Sequence, residues 1–191
     1  MGFMRTTMDH TSDEELMALL TRGEQAAFDA LYERYSKPLF HFFYRLLNSD
    51  RNKAEDFLHD LFLKIIEKKS CYDASKPFKT WVFALAGNMV KNEYRRQNVR
   101  QAYTQFQRES PEEGSTEQQH TLDKQLFHQK LEHELEKMHP DERLLIQLRF
   151  MDSFSIKQLA ETLDIPEGTV KSRLHTLTKL LSEKLSLYSY H

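Results

Sequence analysis

Lys91, Arg95 and Arg96 follow closely on an aromatic run that contains Phe78, Trp81 and Phe83. Rings beside cations suit the capture of single-stranded nucleic acid, because unstacked bases find new stacking partners while the phosphates find counter-charge. The chemistry is capture rather than bond-breaking. Taken singly, Trp81 and Phe83 read better as core residues, since aromatics at helical spacing usually pack. A second cluster lies far downstream: Thr169, Lys171, Ser172, Arg173 and His175, short polar or cationic side chains crowded at the start of a helical stretch. Side chains of these types read base edges and phosphates when a helix end enters a major groove. A catalytic constellation is not expected. HExxH, P-loop, GxSxG and CxxC patterns are missing, and His120, His128 and His133, at spacings of eight and five, do not share one helix face. The expectation is therefore no catalytic residue, no metal site, no cofactor and no small-molecule substrate.

The downstream cluster needs an element to present it, and the sequence from Ser155 to Leu185 supplies one. Ser155 is a natural N-cap for a short helix with Ile156, Leu159, Ala160 and Leu163 turned inward. Asp164, Ile165 and Pro166 break that helix, and Glu167-Gly168-Thr169 opens the next. Two helices so briefly joined, with small Ala160 on the packing face and Ile165 at the corner, match a DNA-binding helix-turn-helix. At about 100° per residue, Val170, Leu174, Leu177 and Leu181 form the core side of the second helix. Ser172, His175, Thr176 and Lys179 point away, with Thr169 and Lys171 on the flanks. Arg173 lies nearer the core edge, which favours a phosphate contact or an internal salt bridge over a base contact.

The upstream cluster closes a longer helical unit. Leu16, Leu19 and Leu20, then Phe28, Leu31 and Tyr35, mark two short helices split near Gly23. Pro38 to Leu47 reads as a further aromatic-rich helix with Pro38 in its first turn. Ala54, Phe57, Leu58, Leu61, Phe62, Ile65 and Ile66 fall on one stripe, opposite a polar face of Glu55, Asp56, His59, Asp60 and Lys64. A turn-prone stretch, Asp73 to Pro77, precedes the aromatic run. Few glycines and prolines among abundant Leu, Phe, Glu, Lys and Gln favour an all-α fold. The expected architecture is two small helical domains, residues 13–97 and 121–187. A flexible linker over 98–120 joins them, where Gln, Glu, Ser, Pro and Gly dominate.

The single cysteine, Cys71, excludes an intrachain disulfide and a Cys-rich zinc site. No apolar run reaches the roughly 20 residues of a membrane span, and the first residues lack the order of a secretory signal, so a cytoplasmic location is expected. A formal net charge of −2 and a pI near 6.5 are unusual for a protein that holds DNA unaided, because Lys and Arg supply most non-specific affinity. Local basic patches and a helping partner are expected instead.

Taken together, these residues resemble the extracytoplasmic-function sigma factors of the sigma-70 family. GEQAAFDALYERYSKPLFHFFYRLL, AEDFLHDLFLKIIEK and YDASKPFKTWVFALAGN are similar to the sigma-2 domain, and ERLLIQLRFMDSFSIKQLAETLDIPEGTVKSRLHTLTKLL to the sigma-4 domain. The resemblance implies a non-catalytic subunit that directs RNA polymerase to promoters. By it, Asp56, His59 and Asp60 would grip the clamp helices of the polymerase largest subunit. The sigma-2 domain would open the −10 element and hold a flipped base in the loop from Ser70 to Thr80. Lys76, Phe78, Lys79, Trp81, Asn88, Lys91, Arg95 and Arg96 would line its DNA side. Sigma-4 would read the −35 element through Thr169, Lys171, Ser172, Arg173 and His175 and lean on the polymerase flap. The resemblance also implies an anti-sigma factor, often membrane-bound.

Three positions depart from the family pattern: His59 for a common Gln, Gly87 for a frequent basic residue, and Asn92 for a frequent Asp. A glycine inside a helix costs about 1 kcal/mol relative to alanine. Two rival readings stand at this point. One is a self-sufficient helix-turn-helix regulator; the other is a metal-dependent hydrolase using the histidines.

Overall fold

A computed structural model describes residues 8, 10–104 and 130–186. Helix α1 spans Asp13–Thr21 and begins with a capping box, in which Ser12 Oγ accepts from the Glu15 N–H and Glu15 accepts from the Ser12 N–H at 2.9 Å. Gly23, with φ of 93°, makes the turn that follows. Helix α2 is a single helix, Gln25–Leu46, with Pro38 inside it. The sequence placed Pro38 at the start of a separate helix, and that boundary is corrected here. Leu31, Tyr35, Leu39, Phe42 and Leu46 continue one buried stripe across the proline. Burial on that scale outweighs the hydrogen bond that Pro38 cannot donate.

Helix α3, Arg51–Lys68, is capped by Asp50, which accepts from the Lys53 N–H at 3.0 Å. Its stripe packs as expected except at Ile66, which is 40% exposed and belongs to the outer face. A 3₁₀ turn, Lys69–Cys71, leads into the loop before α4, Phe78–Thr104. Asp73 shapes that loop by accepting from the Ser75 N–H and hydroxyl at 3.0 and 2.7 Å. Glu14 of α1 accepts from the Phe78 N–H at 2.9 Å, which caps α4 from outside. α4 continues through Asn98–Thr104, residues whose composition suggested the linker. The rest of the expected linker lies outside the described residues.

Residues 130–136 are helical (α5). Helix α6, Pro140–Ile146, is capped by His139 and Glu142 and runs into one π-helical stretch, Gln147–Met151. Ser155 caps α7, Ile156–Leu163, with Gln158 completing the box at 2.9 Å. Asp164 takes a left-handed conformation, φ 53° and ψ 50°, which ends α7, and α8 follows at Glu167–Ser186. The described residues contain no strand, in keeping with an all-α fold.

The two helical units touch. A chain of edge-on rings runs from Phe43 to Phe42, from Phe42 to Phe83 and from Phe83 of α4 to Phe154 before α7, with centroids 5.6, 5.3 and 5.1 Å apart. Phe42, Phe43, Phe83 and Phe154 are all buried. Arg143 of α6 donates to the Asn48 side chain and the Tyr94 hydroxyl, both at 3.0 Å, and to the Arg45 carbonyl.

Candidate nucleic-acid interface

The turn between α7 and α8 presents the downstream cluster as the spacing predicts. Val170, Leu174, Leu177 and Leu181 are buried, and Leu159 of α7 is fully buried beside them in the core. Lys171, Ser172, Arg173, His175, Thr176 and Lys179 are exposed, and Thr169 is half-buried. Thr176 returns its hydroxyl to the Ser172 carbonyl at 3.1 Å. Lys171 lies 4.0 Å from Glu167 on an open surface, a pairing too loose to hold it from another anion. Arg173 is exposed, and its charge helps to hold the Asp141 carboxyl below the usual carboxylate range. There burial pushes the other way and Lys91 is the stronger ally.

The upstream cluster is divided by the geometry of α4. Asn88, Arg95 and Arg96 are exposed and Trp81 is half-buried. Trp81 leans on Tyr72, centroids 5.2 Å apart, while Tyr72 donates to the Lys76 carbonyl at 2.6 Å, which fixes the loop that carries exposed Lys76. Burial pushes the Tyr72 hydroxyl up to about 12, aided by the negative charges of Glu14, Asp13 and Asp73, so it remains a donor at neutral pH. Lys79 and Lys91 are committed instead. Lys79 Nζ donates to the Asp152 carbonyl at 3.1 Å and sits 4.6 Å from the Phe154 ring centroid, and Lys91 Nζ pairs with Asp141 at 2.9 Å. Phe78 is fully buried, packed edge-on against Tyr35 and Tyr72. Position 78 is the first residue of α4, where the inward stripe begins, and burial claimed the ring.

Asp56, His59 and Asp60 share the exposed face of α3, and Leu63 continues it at 58% exposure. Sequence reasoning missed Leu63, although its spacing of three from Asp60 and four from His59 placed it on that face. No group of three or more metal-ligating side chains occurs among the described residues. His120 and His128 lie outside them. No helix of the described residues is long and apolar enough to cross a membrane.

Residues 31–100 match the family Sigma-70 region 2, and residues 128–176 the family Sigma-70, region 4. Over 162 residues the chain is 30% identical to the ECF RNA polymerase sigma factor SigL of Mycobacterium tuberculosis, a match covering 83% of this chain and 89% of that protein. In fold it is similar to CnrH, solved in complex with the cytosolic domain of CnrY, at a TM-score of 0.68 and 22% identity over 92% of this chain and 97% of that one. It is also similar to the sigma factor RpoE, solved with the anti-sigma factor NepR from Bartonella quintana, at 0.65 and 23% over 83% and 96%.

Proposed function

The chain belongs to the extracytoplasmic-function sigma factors of the sigma-70 family, a non-catalytic subunit that directs RNA polymerase to promoters, and we propose how its surfaces divide that work. α8 enters the major groove of the −35 element. Ser172 and His175 meet base edges, Thr169 and Lys171 meet bases and flanking phosphates, and Arg173 meets a phosphate. Downstream, the loop before α4 receives a base flipped from the −10 element, with Trp81 as its platform. Lys76, Asn88, Arg95 and Arg96 track the strand, and Lys79 and Lys91 join them once freed. Phe78 supports the loop from beneath.

The polymerase clamp helices bind the face of α3 formed by Asp56, His59, Asp60 and Leu63. The flap leans on the C-terminal unit, where Phe150 and Met151 are 52% and 49% exposed and supply an apolar foothold. The domains run over 13–97 and 121–187, with 98–120 between them, and the protein works in the cytoplasm. An anti-sigma factor masks these surfaces, a reading supported by relatives solved with the cytosolic domain of CnrY and with NepR.

One observation carries the reading: a capped helix-turn-helix whose second helix leaves Lys171, Ser172 and His175 exposed at its N-terminal end. The test is transcription in vitro by purified polymerase core with this chain over a promoter library. Initiation from a subset sharing two spaced elements is expected. A library transcribed no better than by the polymerase core alone would overturn the reading.

A further inference from the structure

Lys69 and Phe78 are the two ends of the segment that joins α3 to α4, and α1 holds both. At the far end Glu14 accepts from the Phe78 N–H at 2.9 Å, across 64 positions of sequence. At the near end Lys69 Nζ donates to the Leu20 carbonyl in the last turn of α1 at 3.3 Å, and the Thr21 hydroxyl stands 3.4 Å from the Lys69 carbonyl. The residue before α4 cannot replace the first of these bonds. Pro77 has no side-chain oxygen to accept from the helix it precedes.

α1 is a fixed reference for both ties. Leu16 and Met17 are fully buried and Leu20 nearly so. Asp13 accepts from the Tyr35 hydroxyl and from Arg34 Nη1, the latter at 2.6 Å, which locks α1 to α2. Between its ends the loop is shaped by its own bonds, among them the Lys76 N–H to the Asp73 carbonyl at 3.0 Å. Those bonds set its form but not its seat against α4. The Trp81 N–H closes the first turn of α4 on the Pro77 carbonyl at 3.3 Å, and its ring centroid lies 5.8 Å from that of Phe78. A shift at Phe78 therefore carries to Trp81.

We propose that α1 splints the loop that receives the −10 base, and that Glu14 is a positioning residue for base choice there. This rests on the reading above, in which the loop takes a flipped base with Trp81 as its platform. A flipped base is discriminated by hydrogen bonds and stacking in a fitted pocket, and such a pocket selects only while its supports hold one arrangement. Freed from Glu14, the start of α4 samples several arrangements, and the pocket accepts bases that it otherwise rejects. The −35 element is read by the other unit, so its base preferences stay as they are.

The experiment reconstitutes holoenzyme from polymerase core and the full chain, as wild type or with Glu14→Ala, Glu14→Gln or Lys69→Met. Open-complex formation is measured on a promoter duplex selected by the wild-type holoenzyme, with every single-base change in its −10 and −35 elements. Glu14→Ala should lower the preference at one −10 position about tenfold and leave the −35 preferences unchanged. Glu14→Gln loses the same charge but keeps an acceptor for the Phe78 N–H, so it should restore most of the wild-type preference. Lys69→Met should relax the same −10 position, and it decides the matter alone if Glu14→Ala unfolds.

Wild-type preference in either Glu14→Ala or Lys69→Met overturns the splint. A loss in Glu14→Gln equal to that in Glu14→Ala makes the charge responsible rather than the bond, and overturns it too. Relaxation spread equally over both elements is the mark of a general loss of fold and does the same. All three results leave the promoter reading standing. A wild-type holoenzyme indifferent to every base of the −10 element removes that reading, and this inference with it.

Discussion

Lys171 and His175 sit one turn apart on the exposed side of α8, yet their losses should read out differently. A phosphate contact carries no sequence information, so Lys171→Ala should weaken promoter binding by the holoenzyme evenly across −35 variants. It should also lower the salt slope by about one ion. A base contact discriminates, so His175→Ala should relax preference at one position of the element, worth about 1–3 kcal/mol. Binding titrations over single-base variants separate the two, and equal relaxation from both substitutions would reverse the assignment.

Asp152 offers a test of a different kind. Burial raises its carboxyl above the ordinary value, and the Gln147 hydrogen bond and the charges of Arg45 and Lys79 only partly offset this. A raised folded value means that folding favours the protonated form: the stabilising contribution is full at low pH and disappears as pH rises through the raised value. Asp152→Asn keeps an acceptor for the Gln147 amide, 3.1 Å away, and removes the buried charge. Its Tm should exceed that of the wild type at pH 7, and the gain should vanish below about pH 4. A lower Tm at pH 7 would contradict this account of Asp152. Two residues show where sequence reading stopped at this scale. Phe78 has the type and position of a base platform, and only the packing of Tyr35 and Tyr72 around it reveals a core residue. Gly87 reads as an unexplained cost until Leu144, distant in sequence, is seen against it.

Helices were legible in proportion to how local their signals are. Ser155 and Gln158, the break at Asp164 to Pro166 and the stripe from Val170 to Leu181 all lie within one short stretch, and the helix-turn-helix emerged as expected. Pro38 misled because its local preference for a first turn competes with a hydrophobic stripe that spans the whole of α2. Since Pro38 is exposed, Pro38→Ala restores a donor to the Arg34 carbonyl without disturbing the core. It should stabilise the protein by about 1–3 kcal/mol in urea unfolding; destabilisation would mean that the proline ring makes a contact essential to α2. The face of α3 was read from its polar residues alone. Leu63→Lys should weaken binding to polymerase core at least tenfold and leave the melting temperature of the free chain unchanged. Unaltered affinity would place the contact elsewhere.

At the scale of the whole molecule, the two units and their order were legible, because each carries its own apolar pattern. Their docking was not, since it depends on surfaces that meet only after both have folded. The charge balance follows the same logic: at a net charge of −2 the chain lacks the general attraction that would hold it on a duplex, so affinity must come from two patches placed together at the correct spacing. Promoter affinity, measured for the chain alone, polymerase core alone and the two together over a range of salt, tests that claim most directly. Tight, steeply salt-dependent binding by the mixture and weak binding by either component is the predicted result. A chain that binds the promoter equally tightly without polymerase would contradict it.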